Sequence, residues 1–450
     1  VILNLGGNEF SGGIPPEIGN LTNLEELYLA HTTISGEIPP EIGNLTNLTA
    51  LILGQNLLTG EIPSEIGNLA NLEYLFLGDG TNNLSGEIPI EIFDLINLKR
   101  LNLSGNLLTG EIPSEIGNLV NLFSLNLAAN QFTGYIQPTI FELTDLLSLN
   151  LAANEFSGEI PPEIENLIHL EDLQLGWNFL TGEIPQEIGN LTQLRVLELI
   201  SNSLTGSIPS ELANLDYLIY LILGNNNLSG SVPIQLGNYN QLEELNLWGN
   251  NLSGYFPSSI GNISSLQRLW IDGNNFTGNI PESIGYLENL YTVNLSFNQF
   301  SGTIPQSLCN LGLDWNQWND GITNGIHNNY LCPPYPDCMD EQEIGEQNTS
   351  ECEELSNLSS AYSLKYKLNT PYPNPFNPAT QISYQLPQNE DILISVYDMS
   401  GKHIKTLVKD YKKAGFYTAN WDASPYPSGT YLIKMQSGPI KQTQKVVLIK

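Results

Sequence analysis

The sequence predicts an elongated α/β solenoid followed by a small all-β, immunoglobulin-like sandwich. Two observations carry this prediction. A Leu-x-Leu type pair returns from Leu3 to Val293 in eleven steps of 24 residues and one of 26. The net charge also changes sign, from −39 over residues 1–360 to +6 over residues 361–450. A fixed period of this length is the signature of a repeat solenoid, and the change of charge marks a domain boundary.

The composition argues against two classes of partner. The chain has 450 residues and a net charge of −33, from 48 acidic and 15 basic residues. Nucleic acids and anionic membranes are bound through Lys and Arg, so we expect neither as a partner. An apolar fraction of 41% is enough for a core. The sequence contains no apolar run of about 18 residues, so it predicts no membrane-spanning helix.

Each repeat over residues 1–308 predicts one coil. The Leu-x-Leu pair forms a short strand with both Leu side chains inward, and the residue between them points to the concave face. An Asn three residues later, as at Asn56 and Asn106, can bond the backbone of neighbouring coils. In the following Gly60–Leu69 segment, Pro63 prevents a long helix. About 13 strands are therefore predicted on the concave side, with a 3₁₀ or irregular convex side.

The repeat L-x-x-N-x-L-x-G-x-I-P-x-x-I resembles the leucine-rich repeats of plant receptor-kinase ectodomains and of polygalacturonase inhibitors. The resemblance implies a horseshoe or superhelix. It is specific for the fold and not for the ligand, because the repeated residues are structural. The chain begins at Val1 with no signal peptide and no N-terminal cap. We therefore expect a truncated or processed start.

Residues 309–340 predict a C-terminal cap, since an uncapped solenoid end exposes apolar surface. Cys332 and Cys338 resemble the paired cysteines that close many plant-type arrays, which implies a Cys332–Cys338 disulfide and leaves Cys309 and Cys352. Four cysteines allow three pairings, and the sequence does not choose between them. Disulfides indicate an oxidising, extracytoplasmic compartment. The absence of a C-x-x-C pair disfavours a metal site.

The last two predicted segments differ sharply in character. Residues 341–360 are acidic and rich in Ser and Asn, which predicts a flexible linker. Residues 361–450 contain six or seven short, alternating apolar runs separated by turn residues. This pattern is typical of a β-sandwich.

The C-terminal segment also resembles the sorting domain of the bacterial type IX (Por) secretion system. Four stretches carry the resemblance: Tyr372–Pro378, Val396–Gly401, Ser428–Tyr431 and Lys445–Lys450. It implies that residues 361–450 are an address recognised by the secretion machinery, and that the protein is secreted or held on the outer surface of a bacterium. The alternative is an ordinary sandwich domain that binds the cell surface or carbohydrate.

The sequence carries no signature of catalysis or of a cofactor. None of the common hydrolase, metalloprotease, nucleotide or dinucleotide motifs occurs, and the four His residues lie in unrelated contexts. We therefore expect neither an enzyme nor a cofactor. Rows of Glu on the coil flanks, such as Glu37, Glu61 and Glu87, repel each other at about 5 Å spacing. They predict a solvated acidic flank, with Ca²⁺ binding between rows as the alternative.

The concave face is the candidate binding site. Its outward positions hold two apolar-aromatic groups separated by Asn, Ser and Ala. The N-terminal patch consists of Tyr28, Ile52, Tyr74 and Phe76. The C-terminal patch consists of Tyr220, Ile222, Trp248, Arg268 and Trp270.

Aromatic residues beside an Arg are typical of binding hot spots, although Tyr and Trp also fit a half-buried strand surface. The sequence thus favours a secreted or surface recognition or adhesion protein that binds an extracellular protein or glycan. An inhibitor of an extracellular polysaccharide hydrolase is the alternative.

Overall fold

A computed structural model describes residues 1–315, 318–319, 322–350, 352, 366–386, 390–412, 415–437 and 440–450. The chain divides into two compact units, Val1–Gln347 and Asn348–Lys450. Among the described residues, no helix is long and apolar enough to cross a membrane.

The first unit is built around one parallel sheet. Within residues 1–315, described without a gap, thirteen strands follow each other in chain order: Ile2–Asn4, Glu26–Tyr28, Ala50–Ile52, Tyr74–Phe76, Arg100–Asn102, Ser124–Asn126, Ser148–Asn150, Asp172–Gln174, Val196–Glu198, Tyr220–Ile222, Glu244–Asn246, Arg268–Trp270 and Thr292–Asn294. Equivalent leucines are paired, as in Leu27 with Leu51 and Leu51 with Leu75. These three leucines are fully buried. The predicted solenoid is confirmed.

The Asn ladder joins the coils. Asn106 Nδ2 donates to the carbonyl oxygens of Leu77 (3.2 Å) and Leu103 (3.0 Å), and its Oδ1 accepts from the Leu84 N–H (3.1 Å). The side chain thus satisfies buried backbone groups of its own coil and of the preceding one. Such groups are costly to leave unpaired.

The 26-residue step keeps this ladder through a shifted residue. The structure places Asn82 on the rung, where its Nδ2 donates to Leu53 (3.1 Å) and Leu77 (3.0 Å) and its Oδ1 accepts from the Leu58 N–H (2.9 Å). Thr32, which replaces Asn one repeat earlier, hydrogen-bonds to the neighbouring Asn56. The two-residue insertion therefore bulges outward and leaves the rung in place.

The convex side consists of short 3₁₀ turns, as predicted. The turns within residues 1–315 are Pro16–Asn20, Pro40–Asn44, Ser64–Asn68, Ile90–Asp94, Ser114–Asn118, Pro138–Glu142, Pro162–Asn166, Gln186–Asn190, Ser210–Asn214, Ile234–Asn238, Ser258–Asn262, Glu282–Tyr286 and Gln306–Leu311. Pro63, with φ −67° and ψ 136°, precedes one of them in extended conformation. A ring that fixes φ at this value is compatible with the first turn and not with a longer helix.

A second set of short parallel strands lines the flank between sheet and turns. It comprises Ser11–Gly12, Thr33–Gly36, Leu57–Glu61, Asn83–Gly86, Leu107–Glu111, Gln131–Thr133, Ser157–Gly158, Phe179–Leu180, Ser229–Gly230, Asn251–Tyr255, Asn275–Gly278, Gln299–Thr303 and Tyr330–Cys332. Gly60 on this flank has φ +79°, and Cγ of Glu37 lies 2.7 Å from the position a Cβ would occupy. Glycine is required there for both reasons.

The cap continues the coil pattern beyond the repeats. Asn329 Nδ2 donates to Leu295 (3.1 Å), and Asn329 Oδ1 accepts from the Phe300 N–H (3.0 Å), as a ladder Asn does. Gln347 Nε2 then donates to Ile326 (3.0 Å) as a further rung. A single α-helical turn, Glu341–Ile344, precedes it. Residues 341–347 of the expected linker thus belong to the first unit, whereas residues 351 and 353–360 lie outside the described part.

The implied Cys332–Cys338 disulfide is wrong. Cys309 is bonded to Cys338, with their Cα atoms 5.7 Å apart. Cys332 and Cys352 are also disulfide-bonded, and since the chain has four cysteines they form the second bridge. Cys309 lies in the last 3₁₀ turn, and the Pro-rich loop after Cys332 brings Cys338 beside it. The course of this loop determines the pairing, and the spacing of the cysteines in the sequence does not show it.

The second unit is a small all-β domain, as predicted. One antiparallel sheet contains Lys367–Leu368, Ala379–Leu386 and Gly415–Asp422; the other contains His403–Lys412, Glu390–Asp398, Gly429–Ser437 and Ile440–Leu448. Short antiparallel strands at Trp318–Asn319 and Ile322–Thr323 belong to the first unit. Trp421 is fully buried in the second unit, with its ring 5.2 Å from Phe376 and 5.2 Å from Tyr431.

Residues of the sorting-domain resemblance shape this domain. Asn374 Nδ2 donates to the Lys445 carbonyl oxygen and its Oδ1 accepts from the Val447 N–H, both at 2.9 Å. Asp398 Oδ1 accepts from the N–H groups of Ser400 (2.9 Å) and Lys402 (3.0 Å) and so closes the turn between two strands. The first of these residues fixes the last strand and the second fixes a hairpin.

Candidate functional site

The solvent-facing side of the thirteen-stranded sheet, the concave face, is organised in three columns. In each coil, the first column holds the residue before the central Leu, the second the residue after it, and the third the residue two positions further on. In one coil these are Tyr220, Ile222 and Gly224. Adjacent strands are in register, so members of one column lie about 4.8 Å apart from coil to coil.

The structure brings the four residues of the N-terminal patch together. Tyr28, Ile52 and Phe76 are successive members of the second column, and Tyr74 lies in the first column of the same coil as Phe76. All four side chains are half-buried. The Tyr28 hydroxyl donates to Glu26 Oε2 (2.9 Å), and this hydrogen bond is the main cause of a raised pKa of Tyr28.

The structure also brings the C-terminal patch together, within three consecutive coils. Tyr220 and Arg268 lie on either side of Glu244 in the first column, and Ile222 and Trp270 on either side of Asn246 in the second. Trp248 lies in the third column. The patch is one contiguous, half-exposed surface.

Trp248 occupies space that a glycine leaves free. Its Cδ1 lies 2.5 Å from the position a Cβ on Gly224 would take. The indole therefore lies across the preceding coil, over Gly224.

Arg268 has its donors engaged within the chain. Its Nε and Nη2 reach Glu244 Oε2 at 2.7 and 2.6 Å, and its Nη1 donates to the Tyr291 hydroxyl at 2.7 Å. The guanidinium carbon lies 5.8 Å from the Tyr220 ring centroid. Glu244 is 6% exposed. Arg268 thus neutralises a buried carboxylate and supports Tyr220.

The surface between the two patches is polar and bonded to itself. Asn150 Nδ2 donates to Gln174 Oε1 (2.9 Å), and Gln174 Nε2 donates to both oxygens of Asp172 (3.0 Å each). Asn126 Oδ1 accepts from the Ala128 N–H at 3.1 Å. These side chains thus satisfy one another or nearby backbone groups.

Carboxylates surround the C-terminal patch, and the sequence reasoning did not single them out. Burial, followed by the charges of Asp172 and Glu244, raises the pKa of Glu198. Burial raises the pKa of Asp272 to about 6. Glu198 precedes Ile222 in the second column, and Asp272 follows Trp248 in the third. Their column positions were visible in the sequence, whereas their partial burial was not.

Exposed aromatics beside the ladder were also missed. Trp177 and Phe179 flank Asn178 and are 55% and 61% exposed. Trp177 has φ +56° and Phe297, at the equivalent position near the cap, has φ +52°. Bulky residues rarely adopt such values. The sequence signal is an aromatic immediately before the ladder Asn, where most coils have a small or polar residue.

Among the described residues, no group of three or more His, Cys, Asp or Glu side chains is placed to hold a metal ion. The flank glutamates lie over the glycines of the next coil. Cγ of Glu61, for example, is 2.9 Å from the Cβ position of Gly86. Their stems therefore cover backbone.

Comparison with known families matches both units. The family described as "Leucine-rich repeat region" matches residues 82–204 and 162–277, and "Leucine Rich Repeat" matches residues 1–21, 23–45, 47–69 and 289–311. The family described as "Secretion system C-terminal sorting domain" matches residues 370–450. No curated protein matches the chain.

Several solved structures share the fold of the first unit. The plant peptide hormone receptor RGFR1 in complex with RGF2 is 38% identical, with 74% of this chain and 52% of that chain covered and a TM-score of 0.69. The ectodomain of the Arabidopsis thaliana receptor kinase GASSHO1/SCHENGEN3, in complex with CASPARIAN STRIP INTEGRITY FACTOR 2, is 39% identical, with 74% and 38% covered and a TM-score of 0.69.

A bacterial structure is similar as well. An internalin from Listeria monocytogenes is 29% identical, with 70% of this chain and 85% of that chain covered and a TM-score of 0.57. The chain spans about half the length of the plant hormone receptor.

The coils, the open sheet face and the cap define a repeat solenoid. More specifically, the chain belongs to the leucine-rich repeat family. It ends in a secretion-system sorting domain, which marks it for export to the outer surface or the medium. The chain is therefore an exported protein whose first unit is a leucine-rich repeat solenoid.

Proposed function

We propose that this exported protein recognises an extracellular peptide or protein on its concave face, and that the C-terminal patch is the centre of the contact. The observation that carries the proposal is the cluster of Tyr220, Ile222, Trp248 and Trp270 within three coils of the concave face. Contiguous apolar surface of this kind marks contact sites, and aromatic residues dominate binding energy there.

Two further features support a peptide or protein as the partner. The plant hormone receptor that shares the fold is described in complex with RGF2, which is consistent with partner binding by such a solenoid. The polar groups between the patches are already bonded to one another. Asn150, Gln174 and Asp172 therefore have fewer hydrogen-bonding positions left for the hydroxyl groups of a glycan. The fold supports binding and not catalysis as the role.

The test is a screen of the full chain against a panel of extracellular proteins and peptides and a glycan array, followed by titration of each hit. Truncation of a hot-spot Trp costs about 2 kcal/mol or more, equivalent to about 30-fold in affinity. The double variant Trp248→Ala/Trp270→Ala should lose at least that much. Tyr286→Ala, an exposed aromatic on a 3₁₀ turn, is the matched control and should bind normally.

Two results would count against the proposal. One is undiminished binding of a protein or peptide by the double variant. The other is a set of hits confined to the glycan array. A melting curve for each variant separates lost contacts from lost fold, because both Trp side chains are only half-buried.

A further inference from the structure

The charge around the C-terminal patch is one-sided. Four acidic side chains lie on or beside it, at Asp172, Glu198, Glu244 and Asp272, and Arg268 is the one cation among the five residues of the patch. The exposed Arg195 lies in the preceding coil, where its backbone carbonyl accepts from the Tyr220 N–H. Glu244 and Arg268 form an ion pair at 2.6 Å, so this pair adds no net charge. Asp172 accepts two hydrogen bonds from Gln174. The neutral amide of Gln174 leaves the charge of Asp172 in place, so Asp172 adds to the negative field of the surface. Glu198 and Asp272 are the two carboxylates left for a ligand to contact.

Glu198 and Asp272 lack a cationic partner. Within the described residues, no side chain forms an ion pair with either of them. Glu198 extends over the preceding coil, with Oε1 3.0 Å from the Cβ position of Gly176. The hydrogen bond that acts on the Asp272 carboxylate comes from its own backbone. Both groups are half-buried, and the carboxylates of Asp172 and Glu244 act on Glu198 as like charges. A ligand cation would therefore meet two carboxylates that no Lys or Arg already satisfies.

The two carboxylates lie at opposite ends of an apolar stretch. In the second column, Ile222 follows Glu198 in the next coil. In the third column, Asp272 follows Trp248 in the next coil. Three strand spacings separate the coil of Glu198 from that of Asp272, which with the offset between columns gives roughly 15–20 Å. An extended peptide rises about 3.4 Å per residue. Four residues cover most of this span, side-chain reach covers the rest, and a spacing of four keeps both side chains on one face.

We propose that the C-terminal patch binds an extended peptide segment with two basic residues four positions apart, one placed at Glu198 and the other at Asp272, with an apolar residue between them on Ile222 and Trp248. This inference rests on the proposed function and specifies the chemistry of its partner. Lys and Arg fit because an apolar stem can lie on the aromatic surface while the charged group reaches a carboxylate. Trp rings also attract cations directly.

The experiment titrates the full chain with three blocked nine-residue peptides and follows Trp fluorescence and heat. The probe peptide has Lys at its third and seventh positions and Leu at its fifth. A second peptide has Gln in place of both Lys. A third has the same composition as the probe but carries the two Lys side by side. The probe peptide should bind at least tenfold more tightly than either control peptide.

Protein variants locate the binding. Glu198→Gln and Asp272→Asn keep the shape of each side chain, and each should weaken the probe peptide about tenfold while leaving the Gln peptide unchanged. Glu61→Gln, a flank glutamate away from the concave face, is the matched control for general attraction to the acidic chain. It should leave binding as in the original protein.

The outcomes separate this inference from the proposed function. Equal binding of the Lys and Gln peptides, or equal losses in Glu61→Gln and Glu198→Gln, would overturn the basic-segment proposal. So would the failure of the probe peptide to bind at all. The proposed function stands or falls independently, on whether Trp248→Ala/Trp270→Ala loses the protein or peptide partner found in the screen.

Discussion

The two units of the chain are both rich in β-structure, yet they use sequence differently. In the solenoid, strands pair across 24 residues, as Leu27 does with Leu51, and every coil repeats the same solution. In the sorting domain, Ala379 pairs with Asp422, and Phe376 forms a bridge to Leu448 near the chain end. A repeated position in the solenoid therefore reports structure, and a departure from the repeat indicates function.

The sorting domain offers no such internal reference. Residues that identify it, such as Asn374 and Asp398, close its own turns and fix its last strand. Motif residues there are explained by folding, whereas Trp248 and Trp270 in the solenoid are not required by any coil. This contrast is why the binding proposal concerns the first unit.

The largest effect is expected when a buried side chain is removed from each unit in turn, which tests whether the two units unfold independently. Loss of a large core side chain costs about 2–5 kcal/mol. Leu149→Ala should lower only the melting transition of the solenoid, and Trp421→Ala only that of the sorting domain, because both side chains are fully buried within their own unit. Calorimetry of the full chain reports both transitions. If both moved together in either variant, the units would not be energetically separate.

The ladder permits a sharper test within the solenoid. Asn178 bonds Leu151, Leu175 and the Phe156 N–H at 3.0–3.1 Å, so Asn178→Ala leaves several buried groups unpaired. We expect a loss of about 2–3 kcal/mol in chemical unfolding. Asn8→Ala is the matched control, since Asn8 is exposed in the first coil and bonds only Leu5 and Gly6. An equal loss in both variants would mean that ladder bonds act only within a coil.

The smallest expected effect is on pH dependence. Burial raises the pKa of Asp272 to about 6, so its carboxylate is charged above that pH and neutral well below it. The residues beside it in its column, Trp248 and Ser296, are uncharged. Affinity for the basic probe peptide should fall several-fold as the pH drops from 7 to 5, and it should fall less in Asp272→Asn. A flat profile for the original protein would contradict a role for this carboxylate.

The contribution of Asp272 to folding stability has the opposite pH dependence to its contribution to peptide affinity. Because its pKa is raised in the folded state, the folded chain binds more protons than the unfolded chain between the ordinary Asp value of 3.8 and about 6. The stabilisation is complete below the ordinary value and is lost as the pH rises through about 6. Acidification should thus weaken the peptide complex without weakening the contribution of this group to the fold.

Much of the architecture could be predicted from the sequence because it is periodic. The strands, the 3₁₀ turns and the inward leucines follow from spacing alone. The ladder residue Asn82 was displaced by an insertion, and Gln347 takes a rung from outside the repeats, so neither follows the period. The disulfide pairing depended on the path of a Pro-rich loop, which the spacing of Cys332 and Cys338 does not report.

The candidate site was less predictable. The grouping of the aromatics follows from their columns, and the structure places them accordingly. The engagement of Arg268 with Glu244 and Tyr291 depends on side-chain conformation, which no periodic pattern encodes. The same holds for the burial of Glu198 and Asp272, since the degree of shielding depends on neighbours in three coils.

The insertion at Gly78–Asn83 has a practical consequence. Asp79 and Gly80 are exposed and adopt positive φ, while Asn82 holds the next rung regardless of the two added residues. The stacking of the coils therefore does not depend on the length of the Gly78–Asn83 segment. A foreign epitope or reporter loop inserted between Gly80 and Asn82 should therefore leave the solenoid intact and be exported with it. The site of the natural two-residue insertion would then serve as the insertion point of a bacterial display scaffold.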